Sequence, residues 1–266
     1  MTRDAASIGQ RAPVIEMTGV GVGSQQDLEA RVLEDVNWSV AEGDYWVVAG
    51  MDGSGKTDLI LMTGGLMPPR SGSYRLFGHD MPIYEEELLP ERLRLGLVFD
   101  GGQLFHHLTV AENIALPLHY HRNLTRQQGA DRVHAMLELT ELSPLAESMP
   151  GALGRNWQQR VGLARALVLE PEVLLLDNPL SGLDLRHAGW WLDFLDQLSA
   201  GNNNWCNGRR VTLIATAEDL RPWRNQAGQF AILQKQRFLA VGQREKLAGH
   251  SESLVRELLA ETIPGN

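Results

Sequence analysis

Residues 49–57 read Ala49-Gly50-Met51-Asp52-Gly53-Ser54-Gly55-Lys56-Thr57, a complete phosphate-binding loop of the form G-x-x-x-x-G-K-[ST]. An apolar run at 44–48 precedes it, and helical spacing follows at 58–66, which is the strand, loop, helix context this motif requires. Gly50, Gly53 and Gly55 let the loop curl so that successive backbone N–H groups face one point, and the N-terminus of the following helix adds partial positive charge there. With Asp52, Ser54 and Asp58 they form the candidate nucleotide-binding set. Lys56 is placed to reach the β- and γ-phosphates of a nucleotide such as ATP, and the Thr57 hydroxyl to ligate Mg2+.

Composition bounds the rest. The chain has 266 residues, 43% of them hydrophobic, enough for a large core. A net charge of −9 argues against nucleic acid or an anionic membrane surface as a partner through bulk electrostatics. A single cysteine, Cys206, excludes an intrachain disulfide and a four-cysteine zinc site, and fits a reducing compartment. Residues 1–12 are polar, with no apolar stretch of the signal-peptide kind, and no apolar run approaches the ~18 residues of a membrane span.

Taken in order, 14–22 and 31–40 alternate apolar and polar residues as half-buried strands do, predicting a small antiparallel sheet ahead of the phosphate loop. Residues 73–77 read as a further short strand, and 93–99 as a buried parallel strand closed by Asp100-Gly101-Gly102-Gln103. Helical spacing at 110–116, 126–139 and 156–169, with breaks placed at Pro117, Pro144 and Pro150, predicts a helical subdomain over about 106–170. Strands follow at 173–176 and 210–215 with a helix at 185–198 between them, then a hairpin at 230–233 and 237–241 and a helix at 253–260. The predicted division is a flexible 1–12, one domain over 13–248, and a C-terminal helix and tail at 249–266. The strand Val173-Leu174-Leu175-Leu176 delivers Asp177 at its C-terminal end, the position of a carboxylate that holds magnesium. His106, His107, His119 and His121 read as solvated or packing histidines, and Trp190 and Trp191 as packing residues.

Asn178-Pro179-Leu180-Ser181-Gly182-Leu183-Asp184 resembles the Walker B extension and D-loop of ABC transporter ATP-binding subunits. Residues Gln159 to Leu167 are similar to the helix after that family's signature motif, and Leu108 to Leu118 to the segment after its Q-loop. The Ala115-Leu116-Pro117-Leu118 ending is similar to the Mla-type lipid-transport branch. The resemblance covers nearly the whole chain. It implies an α/β fold, a RecA-like P-loop NTPase core with an antiparallel β subdomain and an inserted helical subdomain. It also implies ATP and Mg2+ as cofactors, a membrane permease and a second ATP-binding subunit as partners, and a cytoplasmic location peripheral to the membrane.

Several positions depart from the family pattern. Asn178 stands at the glutamate that polarises the attacking water, and Ala217 at the histidine that contacts the γ-phosphate, so both are expected to be inactive. Asp100 stands at the Q-loop glutamine, a weak candidate metal ligand. Leu153-Gly154-Arg155-Asn156-Trp157 replaces the LSGGQ signature, with Gln158 and Arg155 as side chains that could restore it and Trp157 as a ring that could crowd a partner's nucleotide. Val20 and Val22 lie where the family has an aromatic residue for adenine. A general base is typically worth about 10²–10⁴ in rate and a transition-state donor about 10²–10³. These losses fall on turnover and not on ground-state binding, so the expectation is Mg-ATP binding with weak or no hydrolysis. Another acid or imidazole brought by the fold to the γ-position would overturn the inert reading. A soluble ABC protein without a permease and a scaffold pseudo-ATPase remain the alternatives.

Overall fold

The computed structural model describes residues 13–25, 27, 30–81, 86–202, 205, 208–247 and 253–259. Expectations for residues 1–12, Cys206 and the tail after residue 259 lie outside these. The strands and helices in chain order are β1 (Pro13–Gly23), β2 (Arg31–Ala41), β3 (Tyr45–Gly50), α1 (Lys56–Thr63), β4 (Ser71–Leu76) and β5 (His79–Asp80). Then come α2 (Leu89–Arg92), β6 (Leu95–Val98), α3 (Val110–Arg122), α4 (Arg126–Leu139) and α5 (Arg155–Leu167). β7 (Val173–Leu176), α6 (Leu185–Ala200), β8 (Thr212–Ala217), β9 (Gln229–Gln234), β10 (Arg237–Gln243) and α7 (Ser253–Leu259) complete the described elements.

The strands form a ten-stranded sheet in the order β5-β4-β1-β2-β10-β9-β3-β8-β7-β6. From β9 to β6 all neighbours are parallel, whereas β1 pairs antiparallel with β2 and β4, and a single parallel bridge between Glu34 and Arg237 joins the two regions. The period-2 geometry of a strand sorts the central strands between two cores. Tyr45, Val47 and Ala49 of β3, with Leu174 and Leu176 of β7, face α3 to α6, while Trp46, Val48, Val173 and Leu175 face α1 and the β1–β2 layer. This two-sided burial is why these strands read as unbroken apolar runs.

Helix starts follow from their caps. Thr109 and Thr125 each accept from the backbone N–H three residues on, and Glu112 and Gln128 return the bond, forming capping boxes that open α3 and α4. The break expected at Pro117 does not occur, because α3 runs through it to Arg122. Burial of Ile114 and Leu118 on the same helix outweighs the one backbone bond that proline removes. The strand expected to be buried at 93–99 is an edge strand, β6, which among the described residues pairs with β7 alone. The C-terminal helix, set apart from the domain in the sequence reading, packs Leu254, Val255 and Leu258 of α7 into the same core as α3 to α6. No helix among the described residues is long and apolar enough to cross a membrane.

Candidate functional site

The phosphate loop connects β3 to α1 at the centre of the sheet. Gly55 takes φ +93 and Gly53 φ +71, conformations that L side chains rarely adopt. A Cβ at Gly55 would lie 2.2 Å from Val32 Cγ1. No side chain caps α1, so its first-turn N–H groups remain open donors. Buried Lys56 arches back over the loop, its Nζ donating to the carbonyls of Gly50 at 2.9 Å and Met51 at 2.8 Å. Ser54 Oγ is buried with no hydrogen-bond partner among the described residues. An unmet hydroxyl beside open N–H donors and an ammonium is the donor set that fits a polyphosphate.

The sheet brings the second half of the site to this loop. Thr57 Oγ1 donates to Asp177 Oδ2 at 2.8 Å, and Thr216 Oγ1, at the end of β8, donates to Asp177 Oδ1 at 2.9 Å. Burial pushes the Asp177 carboxyl above the usual carboxylate range, and the nearby charge of Asp100 adds to this while the two hydroxyls oppose it. A divalent cation relieves that cost, and a hydroxyl facing a carboxylate on a cleft wall is an oxygen pair suited to Mg2+. A cleft of about 420 Å³ is lined by Lys56, Thr57, Asp58, Asp100, Asp177, Asn178 and Glu218 at this end, and by Ser24, Gln25 and Val32 at the other. Asp58 Oδ1 accepts from Gln25 N at 2.8 Å, and Asp52 Oδ1 from Gly53 N at 2.9 Å, so both acids brace the loop.

Two features of this cleft were not legible in the sequence. Val20 and Val22 are fully buried in the core beneath β1 and cannot stack on a base; the positions that line the cleft are Ser24, Gln25 and Val32. The Lys56 end of the cleft also holds an acid that sequence reasoning passed over. Glu218 Oε1 lies 3.6 Å from Lys56 Nζ and accepts from Asn178 Nδ2 at 3.3 Å. Ala217, at the histidine position, is buried. The available signal for Glu218 was its position, directly after β8 and two residues beyond Thr216, which meets Asp177. Asn178 itself occupies the left-handed region at φ 46, which asparagine tolerates well, and its backbone N–H donates to Thr216 Oγ1 at 2.9 Å.

The signature-like segment is internally engaged. Gly154 caps α5, and Gln158 Nε2 donates to the carbonyls of Pro150 at 3.0 Å and Leu153 at 2.9 Å. Arg155 forms an ion pair with Asp100 on the cleft wall. Asn156 Nδ2 contacts His187 Nε2 at 2.6 Å, and His187 Nδ1 contacts Asp184 Oδ2 at 2.9 Å, linking the signature-like segment to the D-loop-like one. The Trp157 ring packs edge-on against His187, centroids 5.6 Å apart, and 4.7 Å from the Arg160 guanidinium, which lies 3.6 Å over Trp190. Trp157 is therefore held inward by its own chain.

Sheet order, phosphate loop and the Thr57–Asp177 pair together define a P-loop nucleotide-binding fold. The family profile described as ABC transporter matches residues 33–181, more than half the chain, and the chain belongs to that family. It is similar to the methionine import ATP-binding protein MetN of Brucella abortus (strain 2308), 38% identical over 190 residues, covering 71% of this chain and 50% of that protein. It is also similar to the spermidine/putrescine import ATP-binding protein PotA of Thermobifida fusca (strain YX), 36% identical over 183 residues, covering 68% of this chain and 46% of that one. The chain thus spans about half the length of the curated relatives it matches. Among solved structures, a dimeric ATP-binding cassette in a post-hydrolysis state bound to ADP and Pi superposes with a TM-score of 0.73 at 26% identity, covering 84% of this chain and 95% of that one. The cbiO1 protein of Clostridium perfringens, at 20% identity and a TM-score of 0.74 over 92% of this chain and 94% of its own, shares the fold. The names of these relatives concern methionine and polyamines, and lend no support to the lipid-transport branch.

Proposed function

We propose that this chain is the ATP-binding subunit of an ABC-type membrane transporter, binding Mg-ATP and hydrolysing it slowly. The observation that carries this is the cleft itself, where Lys56, the open α1 N-terminus and the Thr57–Asp177 pair converge. The loop N–H groups and Lys56 would hold the phosphates, and Thr57 and Asp177 the magnesium ion, with Asp100 beside them. When bound, that ion would offset charge on the β- and γ-oxygens. Asn178 cannot accept a proton as the family's glutamate does, and Ala217 offers no donor to the γ-phosphate. Slow turnover follows from the second loss alone, at about 10²–10³. Complete inertness is not retained, because Glu218 stands near the γ-end.

The permease would dock on the groove beside residues 99–103, where Leu66 and Tyr120 are exposed next to Leu89, Leu93 and Phe99. That docking would place the chain at the cytoplasmic face of the membrane. A second ATP-binding subunit would face the cleft. With Gln158 and Arg155 engaged inside their own chain, a partner carrying an intact signature fits this cleft better than a second copy. Thermal unfolding with and without Mg-ATP tests the binding claim: at ligand 100-fold above Kd the fold gains about 2.7 kcal/mol. A rise in Tm that is lost in Lys56→Ala supports it. A Tm unmoved by Mg-ATP favours a scaffold role instead.

A further inference from the structure

Lys56 Nζ has three N–H groups, and two are used on the carbonyls of Gly50 and Met51. The third is left for the cleft, and there the nearest charged group is Glu218 Oε1 at 3.6 Å. A phosphate-loop lysine donates to a γ-phosphate oxygen at roughly 2.8 Å, so a bound γ-phosphate and the Glu218 carboxylate would be neighbours of the same ammonium, with room for a bridging water between them. That is the reach a general base requires. Asn178 Nδ2 donates to the same oxygen, Oε1, at 3.3 Å, and the Glu218 side chain is half exposed to the cleft's solvent. An amide at 178 cannot take a proton, but it can steer a neighbouring carboxylate that does.

We propose that Glu218 is the general base of this site, the role that Asn178 cannot fill. The inference rests on the Mg-ATP-binding reading above. In the step, the oxygen of a water molecule forms a bond to the γ-phosphorus. The bond from that phosphorus to the β–γ bridging oxygen breaks, and its electron pair leaves with ADP. The water proton passes to the Glu218 carboxylate and returns to solvent or to the released phosphate. The same geometry has a second consequence for binding. A negative carboxylate beside Lys56 repels the γ-phosphate and not the shorter ADP, so it weakens ATP relative to ADP.

The test uses the full-length chain and the variants Glu218→Gln, Glu218→Asp and, as a control in the same turn, Asp219→Asn, whose carboxylate pairs with Arg221 outside the cleft. Phosphate release is followed under single-turnover conditions with protein in excess over ATP, beside equilibrium titrations with Mg-ATP and Mg-ADP. Glu218→Gln is expected to slow phosphate release by about 10²-fold or more. It is also expected to bind ATP more tightly with ADP affinity unchanged. Glu218→Asp should fall between it and the wild type, and Asp219→Asn should match the wild type. Phosphate release that is equal in Glu218→Gln and the wild type, or absent from the wild type while ATP still binds, overturns the base assignment and leaves the binding reading intact. Failure of the wild type to bind ATP at all removes both.

Discussion

Thr57 Oγ1 and Asp177 Oδ2 are 2.8 Å apart although 120 residues separate them in the chain. The sheet produces this meeting: β3 and β7 flank β8 and all three run parallel, so their C-terminal ends carry the phosphate loop, Asp177 and Thr216 to one edge. Asp177→Asn keeps a side chain of the same shape there but removes its charge. We expect a folded protein in which magnesium no longer strengthens ATP binding, a loss of about tenfold or more in the Mg-dependent part of the affinity. Titrations with and without EDTA measure it, and an unchanged magnesium effect would assign the metal elsewhere.

Loop 100–103 is fixed by backbone proximity. A Cβ on Gly162 of α5 would come within 2.8 Å of Gly102 Cα, and one on Gly102, at φ +78, within 2.2 Å of the Gln158 carbonyl oxygen. Arg165 then donates to the carbonyls of Gly102 at 2.7 Å and Gln103 at 3.0 Å. Gly162→Ala is expected to cost about 1–3 kcal/mol through overpacking, read as a lowered denaturant midpoint at constant slope. Unchanged stability would mean that the loop moves aside freely.

Charge staples the edge of the sheet. Arg94 binds Glu172 through Nε and Nη2, both at 2.9 Å, while its guanidinium lies 3.6 Å over the Phe77 ring. The Arg94 hydrogen bond holds the Glu172 carboxyl below its ordinary value of 4.5, against partial burial and with help from the charges of Arg94 and Arg209. A depressed carboxyl contributes stability above its unfolded pKa and loses it as pH falls through the folded one. Glu172→Gln should therefore cost about 1–2 kcal/mol at pH 7, and the deficit should fade as the pH drops below about 4. A deficit that persists undiminished at low pH would indicate a packing effect in place of an ionic one.

Arg160 is buried with its guanidinium between Trp157 and Trp190, and donates to Glu141 at 2.9 Å. Arg160→Lys retains the charge but loses the flat face that two rings share, and is expected to destabilise the fold by about 1–2 kcal/mol. Equal stability of the two proteins in urea would show that the stack contributes nothing.

Much of the fold was legible because local signals and burial agree. Residues 126–139 and 173–176 were delimited as they occur, since a capping box and an apolar run bounded by polar residues mark them unambiguously. Pro117 was misread because a local rule was applied where tertiary burial of Ile114 and Leu118 decides. The site divided in the same way. Lys56, Thr57 and Asp177 lie in motifs whose spacing singles them out, and the fold brings Thr57 and Asp177 into contact, whereas Val20 and Val22 were placed by family position alone and are fully buried. Trp157 and Arg155 were judged by what their types could block or restore, while their partners, His187 and Asp100, lie far along the chain. Glu218 lies one residue beyond Ala217, and only the fold brings its carboxylate to Lys56 and Asn178.

The most direct measurement pairs an equilibrium ATP titration of the purified chain with a phosphate-release assay on the same sample, with and without magnesium. The expected result is magnesium-dependent binding, abolished in Lys56→Ala, with phosphate release orders of magnitude slower than binding. Either an absence of ATP binding, or rapid turnover that survives Glu218→Gln, would contradict it.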